Sequence, residues 1–186
     1  MAIIPANERG SLIVFQRGTA ATVVVYGIFH DQWLMSVSPE HFSVYHDTLI
    51  ATGLPRVNTA ELAFVATLGP GLVLGCLLWT IARLGAEPTR LLFGCVWKKL
   101  IVLLICIDVF AASIGLLSAF LFKARGEAGL LLPTWMFPEL RADLVIAQTI
   151  QMYTYVAAAI GSALLLWLIR CARRNMRSGL TNDSNH

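Results

Sequence analysis

The chain has 186 residues, 57% of them hydrophobic and only 13% charged, with a net charge of +3 and a mean hydropathy of +0.70. Soluble domains hold about 45–50% apolar and about 25% charged residues, so this inventory cannot build an aqueous surface. A disordered chain, a disulfide-rich secreted module and a nucleic-acid-binding domain are disfavoured, and an integral membrane protein is expected.

The opening MAIIPANERG carries an acid and a proline where a signal peptide would carry a basic stretch, and no small-residue cleavage site follows. The first apolar segment is therefore expected to be retained as an anchor. A hydrocarbon core about 30 Å thick takes about 20 mostly apolar residues per helix. Four windows meet that length: residues 11–36, 59–83, 99–122 and 144–170. The first is the weakest, because Gln16, Arg17, His30 and Asp31 trim the apolar centre ATVVVYGIF from both ends. Arg17 can snorkel to the nearby interface, so the segment is still read as spanning.

The first connecting loop has helix signals. Ser38 is placed as an N-cap, Pro39 at the first helical position, and Gly53 with Pro55 as the stop. Phe42, Tyr45 and Leu49 recur at helical spacing with Ile50 beside them, which predicts a short interfacial helix over Ser38–Thr52.

The second span holds Gly69, Pro70, Gly71 and Gly75, including a GxxxG pair at Gly71 and Gly75. Lipid tails give helices no hydrophobic reason to associate, so small residues must allow close backbone contact. Pro70 removes one helical hydrogen bond and predicts a kink, or a hinge exposing backbone carbonyls. The third span carries Ala111, Ala112, Gly115 and Ala119 near Asp108, and the fourth carries Ala157, Ala158, Gly161 and Ser162. Between them lies GLLLPTWMFPEL, too short to cross and apolar enough to dip into the interface or cap the bundle. The basic RCARRNMR after the fourth span reads as a stop-transfer and headgroup anchor. One transmembrane domain over residues 1–178 and a polar disordered tail over 179–186 complete the expected organisation.

Orientation follows from Lys and Arg. With the N-terminus inside, Arg9, Arg17, Arg83, Arg90, Lys98, Lys99, Arg170, Arg173, Arg174 and Arg177 fall on the inner side. Arg56, Lys123, Arg125 and Arg141 fall outside, a ratio of 10 to 4 that places both termini in the cytoplasm. Cys76, Cys95, Cys106 and Cys171 all lie toward the inner side, so no disulfide is expected, and the absence of CxxC leaves no thiol-redox or zinc-thiolate motif.

Asp108 is the most informative residue. It lies about ten residues into its span, roughly 15 Å deep, where an acid costs a few kcal/mol unless it faces protein or water. It is expected to point into the bundle, as a hydrogen-bonded structural acid or as a contact for a proton, ion or ligand. On the fourth span Gln148, Gln151, Tyr155, Ala158 and Ser162 form a polar-to-small stripe, with Tyr155 closest in depth to Asp108 and Glu61 opening the second span nearby. Asp108, Tyr155, Gln151, Gln148 and Glu61 are thus the candidate ligand or proton site.

His30, His41 and His46 are expected on the outer side with Asp31, Glu40 and Asp47, and they are weak candidates for a metal. His41 and His46 lie about 140° apart on a helix and cannot chelate one ion from one face. With His30 read as interfacial, no span carries a mid-membrane histidine, which argues against a buried haem. No cofactor is named, and nucleotide-loop, zincin and hydrolase motifs are absent from the sequence.

The expected fold class is all-α, a polytopic four-helix transmembrane bundle. Composition favours an interaction or accessory subunit of a membrane assembly, with membrane lipids, other membrane subunits or a second copy as partners and no nucleic acid. A binder or carrier of a small lipophilic molecule, ion or proton around Asp108 is the alternative. A membrane enzyme using the outer acids and histidines comes third, so a non-enzymatic role is preferred.

Overall fold

The computed structural model describes residues 4–45, 53–84 and 90–183, without the side chains of 44, 45 and 177–183. The fold is all-α. It comprises α1 (Arg9–Val37), α2 (Pro39–Tyr45), α3 (Pro55–Arg83), α4 (Phe93–Arg125) and α5 (Ala142–Asp183). Four of these, all but α2, are long and apolar enough to cross a membrane, which makes the chain a multi-pass membrane protein.

Each long helix exceeds its apolar window. α4 begins at Phe93 rather than residue 99, and α5 runs on to Asp183, into the stretch expected to be a polar tail. The apolar window measures the hydrocarbon crossing, whereas backbone hydrogen bonding continues through Trp97, Lys98 and Lys99, whose side chains do not oppose a helix. α3 is helical straight through Pro70.

Contacts divide the chain into two compact units, to each of which every long helix contributes a stretch. The first comprises Met1–Val24, Thr67–Leu103 and Gly161–His186. Here the GxxxG pair meets α1. A Cβ on Gly71 would lie 2.8 Å from Ala20 Cα, and one on Gly75 would lie 2.7 Å from Gln16 Cα. Gly69 has nothing within 4 Å, so only two of the three glycines serve the approach. Gly161 meets the Leu103 side chain in the same way. Arg173 donates from Nη1 to the Ile81 and Leu84 carbonyls, each at 2.6 Å, satisfying acceptors that the end of α3 would otherwise leave open.

The second unit comprises Val25–Ala66 and Leu104–Ile160. Its core is Leu34, Met35, Phe42, Ala111, Ala147 and Ile150, with Leu62 and Ile146 against it. Alanines on α4 and α5 admit the larger side chains from α1 and α2. Ser118 and Thr149 hydroxyls lie 3.2 Å apart inside the unit, and Gly115 faces the Ile150 side chain.

α2 begins at Pro39, as its sequence predicts, and Gly53 has the positive φ of 72° expected of a stop. Phe42 is turned into the core. Ser38, the expected N-cap, sends its hydroxyl across to Asp143 of α5 at 3.1 Å. Arg141 then bridges Glu40 to Asp143, and both carboxylates raise the pKa of its guanidinium above the ordinary value. Leu49, Ile50 and Thr52, the rest of the expected loop helix, lie outside the described residues.

Candidate functional site

Tyr26 and His30 are four residues apart on α1, so their side chains stack along one face, with ring centroids 5.9 Å apart. Trp33 continues the row, its ring edge-on to His30 at 6.1 Å. This face meets α4 at Asp108. Tyr26 Oη donates to Asp108 Oδ1 at 2.9 Å, and His30 Nδ1 lies 2.8 Å from the same oxygen.

The partner of Asp108 is therefore α1, not the α5 tyrosine expected from sequence. Tyr155 is 49% exposed. The buried position on that turn is Thr154, whose hydroxyl is returned to the Ile150 carbonyl at 2.9 Å. Gln148 and Gln151 are buried as expected, and Gln151 Nε2 donates to Tyr155 Oη at 2.5 Å. Glu61 on α3 is half-buried, and the hydrogen bonds described at Asp108 come from Tyr26 and His30.

His30 also departs from its expected interfacial place. It is only 4% exposed, well inside α1, because that helix continues seven residues beyond it to Val37. It lies beside an acid in the middle of α4, so the argument that no span carries a histidine at depth does not hold. The Tyr26–His30–Trp33 spacing carries this signal in sequence, because i, i+4 and i+7 share one face of a helix. His41 is buried at the α1–α2 junction, and His46 lies outside the described residues. Among the described residues, no group of three or more His, Cys, Asp or Glu is arranged to hold a metal ion.

Asp31 adds a second acid. Its carboxyl is buried and lies within electrostatic reach of His30, Tyr26 and Tyr155. His30 is thus flanked by two carboxyl groups in a medium that penalises unpaired charge.

The 2.8 Å contact accommodates two proton arrangements. In one, Nδ1–H donates to an ionised Asp108 that also accepts from Tyr26. In the other, a protonated Asp108 donates to a neutral Nδ1. They differ in the place of one proton, and interchange needs no displacement of heavy atoms. Among the described residues, the buried His30 Nε2 has no hydrogen-bond partner. Asp108 remains 41% exposed on its other side, with both its contacts on Oδ1.

No known protein family, curated protein or solved structure matches the chain.

Proposed function

We propose that this multi-pass membrane protein takes up and releases a proton at the His30–Asp108 pair, as a proton-linked binder or carrier. The observation that carries the reading is the 2.8 Å His30–Asp108 contact inside two membrane-crossing helices. An acid there is expensive, and polar residues at such depth are by default functional candidates. This acid faces a tyrosine, an imidazole and, through the imidazole, a second acid.

The subunit role expected from composition has less behind it. The small residues that favoured it are used within the chain: Gly71 and Gly75 against α1, Gly115 against α5 and Gly161 against α4.

Infrared difference spectra across a pH step, on protein reconstituted in lipid, test the proton reading. A carboxyl stretching band should titrate in the wild type, vanish in Asp108→Asn and shift in His30→Gln. Asp108→Asn keeps size and hydrogen bonding, so the fold should survive. Asp108→Leu leaves the Tyr26 hydroxyl and a ring nitrogen unpaired, a loss of about 1–3 kcal/mol. A band unchanged in Asp108→Asn would refute the assignment.

The orientation proposed with this function has both termini cytoplasmic, on the 10-to-4 distribution of Lys and Arg. In a background whose only other thiol is Cys171, Glu127→Cys should react with an impermeant thiol reagent added to intact cells. Cys171 should react only after permeabilisation, and the reverse pattern would invert the topology.

A further inference from the structure

We propose that Asp108 is the receptor for a small lipophilic ligand carrying a hydrogen-bond donor, a hydroxyl on an apolar body, which reaches it sideways from the bilayer. The inference shares its carboxyl with the proton reading but does not need that carboxyl to titrate.

The first observation is depth combined with exposure. Asp108 lies 15 residues after Phe93 and 17 before Arg125, at the middle of α4. That leaves more than about 20 Å of helix on either side at 1.5 Å per residue. Its side chain is nevertheless 41% exposed. The surface around it is apolar: Ile105 and Val109 are exposed on α4, as is Trp33 on α1. An aspartate has a single methylene and cannot snorkel from this depth, as lysine and arginine do.

The second observation is unmet hydrogen-bonding capacity. Both protein contacts go to Oδ1, and among the described residues none reaches Oδ2. On His30, Nε2 is buried and has no hydrogen-bond partner among the described residues. An ionised carboxylate only accepts, so the complementary group is a donor. Phospholipid headgroups lie at the interface and do not supply one at mid-depth. A lipophilic alcohol or phenol does, with its apolar body against Trp33, Ile105 and Val109. The titratable groups in contact with Asp108 are Tyr26 and His30 of α1, with Asp31 in electrostatic reach of His30.

The test uses the full chain in lipid nanodiscs with two photoactivatable probes, a 4-alkylphenol with a diazirine in its tail and the matching methyl ether. Mass spectrometry of labelled peptides should place the phenol on segments holding residues 25–33 and 105–112, at least ten-fold above the ether. Excess dodecylphenol should suppress that labelling, while dioleoylglycerol, whose hydroxyl is held at the interface, should not. Asp108→Leu should abolish it, and Asp108→Asn, which keeps one acceptor oxygen, should weaken it several-fold. Equal labelling by phenol and ether on the wild type would overturn the proposal without recourse to any variant. Equal competition by dioleoylglycerol would move the ligand to the interface and overturn it too. If the probes do not discriminate but the Asp108 carboxyl band still titrates, the ligand proposal fails and the proton reading stands. Discrimination without a titrating band gives the converse.

Discussion

Replacing Glu8 by alanine is expected to lower stability by about 3–5 kcal/mol, the range for removing one member of a buried ion pair. Glu8 is only 3% exposed, in a 3-10 turn (Ala6–Glu8) that leads into α1. Arg83, the last residue of α3, grips it with two donors, Nε at 2.9 Å and Nη2 at 2.8 Å. Arg90, just ahead of α4, approaches the same carboxylate at 3.0 Å. The Ser11 hydroxyl lies 2.7 Å from Glu8 Oε2 and also receives the Trp79 indole N–H at 2.9 Å. One carboxylate thus ties the start of α1 to the end of α3 and the approach to α4. Without it, the two guanidinium groups lose the carboxylate they share. Glu8→Gln keeps an acceptor oxygen but not the charge, so an intermediate loss is expected. Thermal unfolding in mild detergent reads both, and a drop of at least about 6 °C is expected for alanine. A midpoint within about one degree of wild type would show that the network contributes little.

The second large effect is expected at Gly75. A valine there would set its Cβ 2.8 Å from the Phe15 carbonyl oxygen and 2.7 Å from Gln16 Cα. Both are backbone atoms, so no rotamer change relieves the clash and α3 must move away from α1. Overpacking ordinarily costs about 1–3 kcal/mol where side chains can shift, and a backbone obstacle places Gly75→Val at or above the top of that range. The Gln16 Nε2–Cys76 Sγ hydrogen bond, 2.7 Å long, would be lost with the separation. Gly69→Ala is the control, because its Cβ meets open space and alanine is the better helix former by about 1 kcal/mol. Monodispersity on size exclusion and the unfolding midpoint should fall for the first variant and hold for the second. Equal behaviour of the two would show that the close approach of α1 and α3 is not what holds this unit together.

Composition and apolar run length alone determine the all-α class and the four crossings, because a bilayer permits few other backbones for such a chain. The Gly71–Gly75 packing face was legible for the same reason: only small residues let helices approach closely in lipid. The start of α2 at Pro39 was legible because caps and prolines act locally. What the sequence did not disclose is which helix faces which. Asp108 was recognisable as a residue needing a partner, but helical periodicity assigns a direction around one helix and not the identity of its neighbour. The tertiary structure chose Tyr26 and His30 of α1 over Tyr155 of α5. It also made Glu8, an acid noted in sequence only as unsuited to a signal peptide, the buried counter-ion of Arg83 and Arg90. Those two arginines had counted only as orientation signals. Charge pairing at that range depends on how distant segments meet, and only the packed chain decides it.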